Sequence, residues 1–257
     1  MRKSKIITVV PTNTGAGAKF TTVLLAQSIL INDPKAKVAI VDFDFRNPYL
    51  AAYLTPEDSF HGVDNLLEKI DANYLSNELF KENMVKIAGT NIDVLKGTKL
   101  GGRYDFITKV HVETIINLLR EQYDYSFIAV NSRDDNSGTV FALNKADDVV
   151  VVAAQDYMGA TRLNGIIDMV ETYRSIRSRI KLFINRRDYR YDEIRFEKET
   201  DERGLEVIGS LPYDPTYVDN RYLKASLANM LKGKGDKRWL AKIKPFTQTL
   251  VIPDNVQ

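Results

Sequence analysis

The chain contains no cysteine. Disulfides, thiolate zinc sites and cysteine nucleophiles are therefore excluded, while the compartment is left open. Histidine is nearly as scarce. His61 and His111 are the only two, far apart in sequence, so a histidine-rich metal site is not expected and each reads as a surface or partly packed residue. Long apolar runs are missing as well. The basic start "MRKSKIITVV" loses its apolar run at Pro11, too early for a signal peptide, and no later run approaches the roughly 20 residues that span a bilayer. A cytoplasmic location is the expectation. There is no internal repeat and no low-complexity segment. The net charge of +2 gives no global attraction to nucleic acid.

What is present is an ordinary globular composition, 44% hydrophobic and 27% charged, over a chain long enough for one large α/β domain. Short β-branched runs recur at 5–10, 37–43, 91–95, 125–130, 147–154, 180–185 and 205–211. They are continuously apolar rather than alternating, which is the pattern of strands buried on both faces. Amphipathic segments of helical length lie between them at 20–32, 110–122, 160–175 and 191–203. Strands alternating with helices predict a mostly parallel, doubly wound sheet flanked by helices. This domain is expected over residues 1–231. The Gly233/Gly235 joint then introduces a basic and aromatic extension over 232–257.

The first apolar run leads into "PTNTGAGAKFTT", residues 11–22, and then a helical pattern. Small residues between a strand and a helix let an anion approach the backbone N–H groups, and the helix dipole favours it. A Walker A loop ends in Gly-Lys-Ser/Thr, and two registers are open here. With Gly17 as the last loop glycine, Ala18 takes the lysine position and Lys19 the hydroxyl position. Shifted by one, Lys19 is the phosphate lysine, but Ala18 replaces the glycine and Phe20 the hydroxyl. The first keeps the downstream helix in step and is preferred. A dinucleotide fingerprint fits less well, because Phe20 stands where a small residue is needed, although Asp42 could hold a ribose. A tight turn that binds nothing is the plain alternative.

The second run ends in "VDFDFRNPYLAAYL". Its Asp42-Phe43-Asp44 followed by Arg46-Asn47-Pro48 resembles the motif of the ParA/MinD group of deviant-Walker P-loop ATPases. Within that group it is most similar to the CpaE/TadZ-like proteins of pilus assembly. The ATPase domain of bacterial tyrosine kinases has a similar Asp-x-Asp-x-Arg-x-Pro. "HGVDNLLEK", "NIDVLKGTK", "REQYDYSFIAVNS", "KADDVVVVAAQDYMGATRL", "LFINRRD" and "SLPYDPTYV" follow in the family's order, so the resemblance runs to about residue 230.

The resemblance implies a P-loop NTPase fold, ATP or ADP as ligand and a homodimer. It implies a loop site of Asn13, Thr14, Gly15, Ala16, Gly17, Ala18, Lys19 and Phe20. Asp42 and Asp44 would stand near the attacking water, as the only catalytic candidates, with two solvated carboxylates as the plain reading. Asn185 would read the base, and Pro212 and Asp214 would close over it. The departures are as specific as the matches. Asn13 stands for the lysine that crosses the family's dimer interface, Ala18 for the phosphate lysine and Lys19 for the magnesium-binding hydroxyl. Asn131 stands for the Walker B aspartate. Phosphoryl transfer depends on charge neutralisation at these positions, so a degenerate ATP site is expected in which magnesium is disfavoured and no residue is assigned as a metal ligand. The expected role is a localisation or scaffold factor for a secretion, pilus or conjugation machine. An active ParA-type ATPase using Lys19 is the alternative.

Two basic stretches remain. Residues 174–198 hold nine Lys/Arg against four Asp/Glu, with Tyr189 and Tyr191 interleaved. They suggest DNA contact or, more simply, a solvated, ion-paired surface. "KRWLAKIKPF" puts Trp239, Leu240 and Ile243 among basic residues, a composition suited to weak peripheral membrane contact or to packing on the body or a partner.

Overall fold

The structure, a computed structural model, describes residues 4–54, 61–99, 101–188 and 194–213. The extension at 232–257, Asp214, and the Tyr189 and Tyr191 stretch lie outside the described residues.

The predicted runs become strands within a residue or two of their expected ends. They are β1 (Lys5–Pro11), β2 (Val38–Asp42), β4 (Ile92–Leu95), β5 (Tyr125–Ala129), β6 (Asp148–Ala154), β7 (Arg179–Arg187) and β8 (Glu206–Pro212). A two-residue strand, β3 (Val85–Lys86), joins them at one edge. The sheet runs β3-β4-β2-β5-β1-β6-β7-β8, and only the β3–β4 pairing is antiparallel. Successive residues of β6 explain the unbroken apolar runs. Val149, Val151 and Ala153 enter one core, whereas Val150 and Val152 enter the other. Each face of the sheet is covered, so both halves of the period-two pattern must be apolar.

One face carries α1 (Ala18–Asn32), whose Val23, Leu24, Leu25, Ala26 and Ile29 pack on Ile7, Val9, Ile40 and Phe127. The other is covered by α2 (Asp64–Asp71), α3 (Asn77–Glu82), α4 (Lys109–Gln122), α5 (Ser137–Lys145), α6 (Tyr157–Tyr173) and α7 (Ile194–Arg203). The helix patterns at 20–32, 110–122, 160–175 and 191–203 correspond to α1, α4, α6 and α7. No helix among the described residues is long and apolar enough to cross a membrane.

His111 is a packed residue in this fold and not a surface one. It is buried, its Nδ1 accepts the Thr108 N–H at 3.0 Å, and its Nε2 lies 2.8 Å from Asp71. Accepting at Nδ1 leaves the proton on Nε2, which donates to Asp71 and ties the start of α4 to the end of α2. His61 is exposed.

The topology places the candidate site. β1 lies between β5 and β6, with α1 leaving toward one face and α5, which links β5 to β6, covering the other. The crevice beyond the carboxyl ends of β1, β2 and β5 is where open α/β sheets present their functional loops.

Candidate functional site

The loop after β1 turns on two glycines in the left-handed region, Gly15 at φ 89° and Gly17 at φ 94°. L-residues adopt that region rarely, so the loop path requires glycine there. Gly17 is the N-cap of α1 and Ala18 its first helical residue, so Lys19 lies in the first turn of the helix. No side chain caps α1, and the N–H groups of its first turn have no acceptor within the helix.

The end of β7 holds the other side of the loop. Asn185 Nδ2 donates to the Ala16 carbonyl at 2.8 Å, and Arg186 Nη2 donates to the Gly15 carbonyl at 2.7 Å. In a trans peptide the C=O and the following N–H point in opposite directions. Drawing the Ala16 carbonyl toward Asn185 therefore turns the Gly17 N–H away from it. Asn185 sits so close that a Cβ on Gly17 would lie 2.1 Å from its Nδ2. Asn13 donates to its neighbour's carbonyl, Thr14 O, at 3.2 Å, and Thr14 and Gly15 are exposed. Pro212 is the last residue of β8, and the Tyr213 N–H beyond it bonds Arg187 O at 3.0 Å.

Asp42 and Asp44 at the end of β2 are both buried, which overturns the reading of them as solvated carboxylates. Asp42 accepts the Leu50 N–H at 2.8 Å and the Asp44 N–H at 3.2 Å. Burial pushes its carboxyl up to about 7, and the nearby Lys19 charge opposes that rise only in part. Asp44 is the hub. Its Oδ2 accepts from Lys19 Nζ at 2.9 Å, and its Oδ1 from Asn131 Nδ2 at 2.8 Å and the Asn47 N–H at 3.2 Å. Lys19 also donates to the Asn47 carbonyl, and its Nζ stands 5.8 Å from the centre of the Tyr49 ring. Lys19 thus leaves the helix start and ends on the β2 loop.

A further contact was not legible in the sequence. Arg46 bonds Asp135 in a fork, Nε to Oδ1 at 3.0 Å and Nη2 to Oδ2 at 2.6 Å, with its guanidinium 4.8 Å from the centre of the Tyr104 ring. The Arg46 hydrogen bond holds the Asp135 carboxyl below its usual range. The pair clamps the loop after β2 to the loop after β5. Gly138 at the start of α5 makes room, since a Cβ there would lie 2.6 Å from the Phe43 carbonyl oxygen.

Among the sequence candidates, the fold brings together the loop 13–19, Asp42, Asp44, Asn131 and Asn185. The start of α1, which no side chain caps, is of the kind that favours an anion. A divalent cation does not fit. Both Asp44 oxygens already accept hydrogen bonds, one of them from a permanent ammonium, and Asn131 faces Asp44 as a donor. Among the described residues no cluster of three or more His, Asp or Glu side chains could hold a metal.

This sheet order, with its loop, helix and strand-end carboxylates, is the ParA/MinD form of the P-loop NTPase fold. A ParA family ATPase from Chlorobium tepidum TLS superposes with a TM-score of 0.79 at 17% identity, covering 97% of this chain and 100% of that one. MinD from Aquifex aeolicus, in its MinC:MinD cell division complex, gives 0.72 at 17%, covering 98% and 99%. The septum site-determining protein MinD from Pyrococcus horikoshii OT3, complexed with Mg-ADP, gives 0.69 at 18%, covering 96% of each chain. Identities this low establish the fold and leave the activity to the site. No family model and no curated protein matches the chain.

Proposed function

We propose that the chain is a ParA/MinD-like protein, CpaE/TadZ-like in pattern, that holds ATP or ADP without efficient turnover. It serves as a localisation or scaffold factor for a secretion, pilus or conjugation machine and works as a homodimer. The observation that supports this reading is the Lys19–Asp44–Asn131 network. An ammonium and an amide occupy Asp44, a carboxylate that hydrolysis would use for ordering water or metal, and Ala18 offers no charge to the outer phosphates. The MinD neighbour bound to Mg-ADP supports a nucleotide in this crevice, and the MinC:MinD complex supports a protein client. Peripheral membrane contact through the 232–257 extension belongs to the same proposal.

The test is calorimetric titration with ATP and magnesium, paired with a turnover assay. Binding without turnover is the expected outcome. Metal-dependent turnover that Lys19→Ala abolishes would instead establish an active ATPase with Lys19 as its phosphate lysine.

A further inference from the structure

The misfit between this site and a divalent cation has a consequence for how ligand binds. We infer that the site takes a nucleoside polyphosphate without any divalent cation, the Lys19 ammonium supplying the positive charge a metal would bring. This rests on the nucleotide reading above and adds to it a mode of binding.

Three observations carry the inference. The first concerns coordination. Magnesium requires near-octahedral oxygen ligands at about 2.1 Å and gives up its water reluctantly. At the end of β2 every carboxylate oxygen is already an acceptor. Asp42 Oδ1 and Oδ2 take the Asp44 and Leu50 N–H groups, while Asp44 Oδ1 and Oδ2 take Asn131, Asn47 and Lys19. A cation at Asp44 would sit beside the Lys19 ammonium, 2.9 Å from Oδ2, and would compete at Oδ1 with two donors, Asn131 at 2.8 Å and the Asn47 N–H at 3.2 Å.

The second is charge. Lys19 and Asp44 form an ion pair, and burial favours the neutral form of Asp42. Little negative charge remains to attract a divalent ion, and the fixed ammonium repels one. A polyphosphate has the opposite sign, and the α1 dipole and the Lys19 ammonium favour it, with Asp44 offsetting part of the lysine's charge.

The third is donor capacity. A lysine ammonium has three N–H donors. Two of them end on Asp44 Oδ2 and the Asn47 carbonyl, the acceptors found among the described residues. The third is available to a phosphate oxygen, and the Lys19 side chain is 18% exposed rather than sealed in the core.

The experiment is calorimetric titration of the full chain with ATP and with ADP, once in excess EDTA and once in magnesium. Equal affinity, within about twofold, is expected in the two buffers. Lys19→Met should lose about tenfold or more of the EDTA affinity, with its melting temperature confirming that it is folded. Manganese paramagnetic resonance on the nucleotide-free chain reads the metal site directly and should detect no binding. Nucleotide binding that requires magnesium would overturn the inference and leave the nucleotide reading standing. An absence of binding in both buffers would overturn both. Should Lys19→Met fail to fold, the two-buffer comparison on the natural chain still decides.

Discussion

At the scale of single residues, burial rather than composition sets the chemistry of the site. Asp42 is an unremarkable acid in the sequence, yet its environment raises its carboxyl from an ordinary 3.8 to about 7. The sign of the consequence follows from proton binding. Below pH 3.8 the side chain is protonated both folded and unfolded and adds nothing. As pH rises from there to about 7, only the unfolded chain loses the proton, so stability falls, by up to about 4 kcal/mol, and is level above. Asp42→Asn should therefore gain stability relative to the natural chain between pH 4 and pH 8, as read by urea unfolding at both. Gly17→Ala should lose about 2–4 kcal/mol, combining a left-handed alanine with the displaced Asn185 bond to Ala16. In an Asn185→Ala background the crowding is gone and only the φ penalty remains, so a double-mutant cycle separates the two. Neither effect is legible locally, because Asn185 lies 169 positions from the carbonyl it holds.

At the scale of elements, the long buried strands could be read from sequence because both faces of the sheet demand apolar residues. β3 and the short helices α2, α3 and α5 could not, since a two-residue edge strand has no period and α5 begins in "NSGT", which reads as a loop. Nor does the pattern reveal that charged residues begin three neighbouring strands. Asp148 on β6 is completely buried beside Lys5 of β1 at 2.6 Å, Arg179 at 3.0 Å and Lys181 of β7 at 3.4 Å. Burial pushes the Asp148 carboxyl up, but the Lys5 hydrogen bond and the three cations outweigh it and hold the group below its usual range. Burial likewise drives Lys181 down despite Asp148. Asp148→Asn leaves buried cations without their counter-charge and should cost about 3–5 kcal/mol, measured by chemical denaturation. Lys181→Met keeps the Lys5–Asp148 pair and should cost much less.

At the scale of the whole molecule, the described part of the basic surface at 174–188 makes several bonds within the chain. Arg174 pairs with Glu171 at 2.6 Å, Arg179 with Asp148, and Arg186 and Arg187 donate to Gly15 O and Ser210 Oγ. Nonspecific DNA affinity grows with the number of phosphates a protein neutralises and falls steeply with salt. The ion pairs that Arg174 and Arg179 make among the described residues therefore predict no retention of duplex DNA at physiological ionic strength, by mobility shift. Neutralising Arg186 and Arg187 should leave that result unchanged while loosening the loop. Retention that is lost with those two arginines would instead favour a DNA-positioning role.

The sequence by itself determined the parallel α/β architecture, because hydrophobic periodicity is a local consequence of burial on two faces. It also marked Ala18, Lys19 and Asn131 as the candidate departures from the motif the chain resembles. Only the tertiary structure decided where those side chains lie. It set the direction in which Lys19 points, the burial of Asp42 and Asp44, the Arg46–Asp135 clamp and the hold of Asn185 on the loop. Those depend on distances between residues far apart in the chain, and no local pattern encodes them.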